Sequence, residues 1–213
     1  MPREGLPTKE KLITAGEHLF AREGIDGAHT RDIVTRAGQA NDSAIHYHFG
    51  SRQGLLSAIL DKHVQEMEAE RQLAVSRAGT RPRIATVVGA IVEPVADKLR
   101  TEDGRNFLRI IAQLAGVTRT GTAEAAPLRG TALAAQLATL ETACRSRLPT
   151  AIADERIRSM ITMLTASLAD RAQRIESGRR LQLDHDAYVA NLVDMLAAAL
   201  RAPSTAGPQG LRR

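Results

Sequence analysis

The 213-residue chain is 43% hydrophobic and 25% charged, a balance that excludes disordered and fibrous classes and allows one large domain or two smaller ones. Aromatic residues make up only 2% and Trp is absent, while Ala and Leu recur throughout, which is the composition of an all-α protein rather than of a sheet. The net charge of +5 invites a nucleic-acid reading, yet residues 1–52 hold seven basic and seven acidic residues and most of the excess lies beyond residue 100, so charge alone does not point to DNA.

Helix signals begin at Thr8, an N-cap candidate after Pro7. The first helix is expected to run to about Glu23, with Leu12, Ala15, Gly16, Leu19 and Phe20 spaced to form one buried stripe. Gly24 suits the left-handed position that ends it, with Ile25 packing back. After the turn DGAH, Thr30 is the next N-cap candidate, and a helix of about two turns buries Ile33, Val34 and Ala37 before Gly38 stops it. Asn41 or Asp42 is expected to cap a third helix from Ser43 to His48, pinned by Ile45 and Phe49 and leaving Ser43, His46 and Tyr47 outward. Gly50 breaks it, Ser51 is a further N-cap, and a long helix carrying Leu55, Leu56, Ile59, Leu60, Val64 and Met67 runs to about Val75.

RAGTRPR then reads as a linker, followed by helical periodicity near 82–100, 104–117, 128–147, 153–177 and 184–201. The ending APSTAGPQGLRR is too poor in apolar residues to order itself. The expected division is a DNA-binding domain over 1–52, a helical ligand-binding and dimerisation domain over 53–201 and a mobile tail over 202–213.

The block Thr30 to Arg52, TRDIVTRAGQANDSAIHYHFGSR, places a short helix, a glycine-bearing turn and a second short helix on buried Ile33, Ala37, Ile45 and Phe49. That is helix-turn-helix geometry, in which one face is pinned and the other is offered to a major groove about 12 Å wide. Phe20, Gly24, Thr30, Ile33, Ala37-Gly38, Tyr47-His48-Phe49, Ser51-Arg52 and Leu55-Leu56 resemble the N-terminal pattern of the tetracycline-repressor (TetR) family over roughly residues 8–60. Two departures stand out: Gln39 replaces a usual apolar residue, and the stretch from Ala37 to Phe49 is one residue longer than the commonest version.

The resemblance implies that Thr30, Tyr47, His48 and Arg52 contact phosphates, which position a protein without reading sequence. It also implies that Ser43, Ala44 and His46 face base edges. With no Arg or Lys on the recognition helix, readout is expected through Asn41, His46, methyl contacts and water. The partners implied are double-stranded operator DNA, a second copy of the chain and an apolar or amphipathic effector, with no cofactor. Phe107, Met160, Met163, Tyr188 and Met195 are candidates for lining the effector's pocket, because thioethers and a few aromatics suit apolar ligands.

Other readings fall away on spacing. His46 and His48 point about 200° apart on a helix and cannot share one metal ion, and the single pair His63 and Glu66 more often marks a solvated or interdomain face. No P-loop, HExxH, GxSxG or strand-borne GxGxxG is present, so no enzyme is expected. Cys144 is the sole cysteine and reads as a small buried hydrophobe in a reducing compartment. The N-terminus has no apolar signal core, and the stretch 84–92 is too short to span a bilayer, so a cytoplasmic home without membrane contact is expected. The competing class is an effector-independent or architectural DNA-binding protein.

Overall fold

The computed structural model describes residues 7–41, 43–79, 82–115 and 131–204, and helices are its regular elements, with no strand among the described residues. In chain order these are α1 (Thr8–Glu23), α2 (Thr30–Arg36), α3 (Ala44–Phe49), α4 (Arg52–Ala78), α5 (Ile84–Ala96), a 3₁₀ turn (Asp97–Arg100), α6 (Glu102–Ala115), α7 (Ala132–Arg145), α8 (Thr150–Glu176) and α9 (His185–Arg201). The all-α expectation holds. Asp42 as a cap, the helix ends expected at 117 and 128, and the tail from 205 lie outside the described residues.

Caps differ in detail from those expected. Thr8 and Thr30 are the first residues of their helices rather than N-caps, and neither preceding residue supplies a side-chain cap. Ser51 does cap α4, its Oγ accepting the Gly54 N–H at 3.0 Å. Gly24, Gly38 and Gly50 break the chain at positive φ where the spacing predicts breaks. Gly54 has a different reason: a Cβ there would sit 2.0 Å from the Phe49 carbonyl oxygen, so its absence lets α4 start directly against the end of α3.

One helix predicted over 82–100 is instead α5 followed by the 3₁₀ turn. Pro94 lies inside α5 and has no N–H to give to the Ala90 carbonyl one turn back. Gln136 of α7 donates its Nε2 to that carbonyl at 3.4 Å. The chain then tightens through Asp97–Arg100, which still buries Leu99.

Two apolar cores form. The smaller joins Leu12, Leu19, Phe20, Ile33, Val34, Ile45, Leu55, Leu56 and Ile59, so the first turns of α4 close the N-terminal bundle beyond residue 52. Ile110 of α6 also belongs to it. The larger core takes Met67 of α4, the α5 stripe, Phe107 and Leu108 of α6, and the inner faces of α7, α8 and α9, including Cys144. Burial pushes the Cys144 thiol's pKa up, which keeps it an unreactive hydrophobe. The α8 set Ile157, Met160, Leu164 and Leu168 and the α9 set Leu192, Leu196 and Leu200 are spent within this core.

The cores meet at α1, α4 and α6. Glu17 (1% exposed) and His63 (2%) are buried there with Oε1 and Nε2 at 2.7 Å, and the His63 ring stacks on Phe107 with centroids 4.3 Å apart. Lys62 lies 3.6 Å from the second Glu17 oxygen, and Glu66, beside His63, pairs with Lys98 of the 3₁₀ turn. His63 and Glu66 thus belong to an interdomain ion-pair chain. Gln113 of α6 accepts the Ile25 N–H at 2.9 Å and donates to the Phe20 carbonyl at 3.1 Å, strapping the end of α1. Glu176, at the end of α8, meets Arg109 at 2.8 Å, Arg105 at 3.5 Å and Arg22 of α1 at 3.6 Å.

At the far end, Arg156 donates to the carbonyls of Ala202 and Pro203, so the segment expected to be a loose tail from 202 begins with fastened residues. Leu55, fully buried between α1 and α4, tests the smaller core. Leu55→Ala is expected to lower unfolding free energy by about 2 to 5 kcal/mol, read as a drop in the urea midpoint.

Candidate nucleic-acid interface

The turn before α3 is built locally. The Gln39 N–H reaches the Val34 carbonyl at 3.0 Å, Gly38 takes φ +66°, and the Asn41 side-chain oxygen accepts the Ser43 N–H at 2.9 Å. Gln39 further donates its side chain to the Ala37 carbonyl at 3.3 Å, which explains a polar residue where an apolar one is usual. Helix α3 is then pinned by Ala44 and Ile45, both in the smaller core, with Phe49 half-buried against it.

What remains outward is Ser43, His46 and Tyr47, with Asn41 at the entry and His48 half-buried. Tyr47 is 84% exposed, an unusual position for a large aromatic without a partner. Its ring meets His48 edge-on with centroids 4.9 Å apart. Thr30, at the first turn of α2, is partly exposed. Ser43, His46 and Tyr47 therefore share the outer side of α3 with Asn41 at its entry, while His48, two residues from His46, lies off that face.

Two further expected contact residues do not share it. Ala44 is buried beneath α3 rather than facing outward, because the first turn of so short a helix needs a second small apolar anchor beside Ile45. Arg52 turns inward. It donates to the carbonyls of Ile25 and of Ala28, the latter at 2.8 Å, stands 4.0 Å from Asp26, and lies over the Phe20 ring at 5.7 Å. Its guanidinium holds the α1–α2 turn to the base of α4 and positions the interface instead of extending from it.

Lys9 was not legible as a neighbour of this surface. Its ammonium sits 5.9 Å from the Phe49 ring centroid, bringing a positive charge to the end of α3 from the first turn of α1. Nothing in the spacing links residue 9 to residue 49; only the tertiary fold brings them together. Exposed Arg31 and Arg36 on α2 add further positive charge to the N-terminal bundle.

Of the five residues expected to line an effector pocket, Phe107, Met160, Met163 and Tyr188 are packing residues and Met195 is exposed on α9. Phe107 stacks on His63 and Met160 is core. Met163 is half-buried against that core, and the Tyr188 hydroxyl donates to the Ser167 carbonyl at 2.9 Å while Arg171 lies 4.4 Å from its ring. They do not converge on a cavity. A 550 Å³ open groove lies instead between α9 and the end of α5, walled mainly by carboxylates including Glu70, Glu93, Asp97 and Asp186. A smaller one of about 110 Å³ lies between α4, α5 and α7.

Residues 12–59 match the family model described as bacterial regulatory proteins, tetR family. The N-terminal part of the chain is thus similar to the tetR family. The match covers α1 to the second turn of α4, which is the smaller core and the surface it carries. A curated relative, the HTH-type transcriptional repressor NicS of Pseudomonas putida, is 28% identical over 85 residues, 39% of this chain and 40% of that protein. The aligned part thus spans about two-fifths of the relative's length.

Solved structures extend the likeness to the whole fold. FadR of Bacillus halodurans, described as a fatty acid degradation regulator, superposes with a TM-score of 0.55 at 15% identity, covering 94% of this chain and 100% of that one. NalD of Pseudomonas aeruginosa, described as the secondary repressor of the MexAB-OprM multidrug efflux pump, gives 0.52 at 17% identity, with 90% and 94% covered. A transcriptional regulator from Rhodococcus sp. Rha1 gives 0.51 at 18% identity, with 91% and 96% covered. At such identities the shared property is the arrangement of helices.

Tyr47 and Arg52 separate contact from support. Tyr47→Ala is expected to leave unfolding free energy within about 0.5 kcal/mol while weakening DNA binding by about 5- to 30-fold. Arg52→Ala is expected to lose about 1 to 3 kcal/mol of stability, since two backbone carbonyls lose a charged donor. Urea unfolding and gel-shift titration of both variants check the pair.

Proposed function

We propose that this chain is a cytoplasmic transcriptional repressor of the tetR family that binds operator DNA as a two-fold dimer and is released by a small-molecule effector held in its C-terminal domain. The carrying observation is α3, whose buried face is fixed by Ala44 and Ile45 while Ser43, His46 and Tyr47 project together. A pinned helix with a polar outer face is a rigid probe for the major groove. Tyr47, His48 and Lys9 supply phosphate contacts; Asn41, Ser43 and His46 face the bases. The repressor names of NicS and NalD support the sign of regulation.

A recognition helix of six residues reads too few bases to select a genomic site alone, and a second copy doubles the readout. The dimer face is assigned to the outward sides of α8 and α9. Met195 is 46% exposed there, and Ala198 and Ala199 share its face of α9, while Thr162 and Ala166 are exposed one turn apart on α8. Small side chains let such helices approach closely, as a four-helix interface requires. Sedimentation equilibrium is expected to show a wild-type dimer and a monomeric Ala166→Arg/Met195→Arg variant. A monomeric wild type would remove this part of the reading.

Coupling runs through α6, which shares residues with both cores and is tied to α1 by Gln113 and to α8 by Glu176. An effector that shifts α6 against α8 carries α1 with it and changes the separation of the two reading helices. The expected coupling is about 1 to 3 kcal/mol, and linkage makes operator DNA weaken the effector by the same factor. Fluorescence anisotropy on a selected pseudo-palindromic operator tests this. Equal effector affinity with and without DNA would favour effector-independent binding, the second reading.

A further inference from the structure

The N-terminal 52 residues balance seven basic against seven acidic side chains and hold four of the chain's six histidines, so imidazoles set the net charge that this part offers to DNA. Helix α3 concentrates the effect. It carries no Lys or Arg, and His46 and His48 are the side chains in it that can become positive. Two permanent cations close to α3 do not take that place. Arg52 is turned in to the carbonyls of Ile25 and Ala28, and Lys9 sits at the ring of Phe49, the last residue of the helix.

The two imidazoles are placed differently. His48 is half-buried, its ring against those of Tyr47 and Phe49. His46 is exposed, and among the described residues its ring has no hydrogen bond, ion pair or ring contact, so both nitrogens are open to a ligand. The charged groups on the elements about α3 are Lys9 and Glu10 of α1, Arg31, Asp32 and Arg36 of α2 and Arg52 of α4, with Asp42 preceding α3 in sequence. None of the described ones is hydrogen-bonded or ion-paired to His46. The other two histidines of this part are poor sources of charge: His29 is exposed at the N-cap of α2, where the helix dipole disfavours a cation, and burial with the charges of Arg36 and Arg22 pushes the His18 imidazole down.

A neutral imidazole offers one donor and one acceptor, whereas an imidazolium offers two donors. Guanine presents two acceptors, N7 and O6, to the major groove, and the Arg and Lys that commonly meet them are missing from α3. Phosphates flanking the groove favour the charged ring in the complex, while the free ring has no partner that does so. We propose that His46 reads guanine as an imidazolium, so that operator binding takes up a proton and the guanine preference is lost as pH rises. This rests on the DNA-binding reading given above and assigns the base, and the protonation state that recognises it, to one residue. A ring whose charged form is favoured in the complex contributes fully below the free imidazole range, near about pH 6.5, and its contribution fades as pH rises above it.

Fluorescence anisotropy of the full chain at fixed salt, on an operator selected from random duplex at about pH 6, tests this. Wild-type affinity is expected to fall about tenfold between about pH 6 and pH 8.5, and calorimetry in two buffers of different ionisation enthalpy is expected to show proton uptake near neutral pH. Replacing guanines one at a time by 7-deazaguanine is expected to expose a position in each half-site whose loss costs about 5- to 10-fold at the acid end and under about twofold at the alkaline end. His46→Ala removes no packing and is expected to keep the wild-type Tm while abolishing that penalty; His29→Ala and His48→Ala are expected to retain it. Wild-type affinity constant within about twofold over the range, no proton uptake, no guanine position sensitive at the acid end, or a penalty that survives in His46→Ala would overturn the proposal and leave the DNA-binding reading standing. Absence of sequence-selective binding at every pH would remove both.

Discussion

Both halves of the molecule depend on the buried contact between Glu17 and His63. The two side chains are almost wholly removed from water, 2.7 Å apart, with Lys62 beside one and Phe107 stacked on the other. Separating α1 from α4 at this point strands polar groups in an apolar interior, which costs far more than separating two leucines. The contact therefore fixes the distance between α1, which supports the candidate nucleic-acid interface, and α4, which runs on into the C-terminal core.

From that constraint the rest of the architecture follows in order. With α1 held to α4, Leu12, Phe20, Leu55 and Ile59 close a core small enough to need every residue it has, and α2 and α3 pack onto it as short helices. Short helices carry little intrinsic stability, so α3 is rigid only because Ala44 and Ile45 are buried and because Gly54 lets α4 begin against its end. Arg52 completes the brace from below. The candidate DNA-facing surface is thus specified from beneath, and its outer residues carry no part of the core.

The C-terminal core is looser in its polar economy. Gln136 compensates for Pro94, but the Arg71 Nε and Nη1 and the Gln136 carbonyl oxygen remain buried without hydrogen-bond partners.

The sequence by itself determined the helical class, the order and bounds of the elements to within a few residues, and the N-terminal surface, because local spacing governs all three. Positive-φ glycines, the Ser51 cap and the Ile45 to Phe49 pairing are short-range signals that packing did not override. The outward placement of His46 and Tyr47 was legible because one short helix, pinned by Ile45, sets their directions. Tertiary structure decided what spacing cannot encode. It buried Ala44, turned Arg52 inward, brought Lys9 to Phe49, and spent the α8 and α9 stripes inside the monomer. Periodicity gives a helix its apolar face but not the helix that covers it, and it does not distinguish a surface arginine from one, like Arg71, enclosed by helices that follow it in the chain.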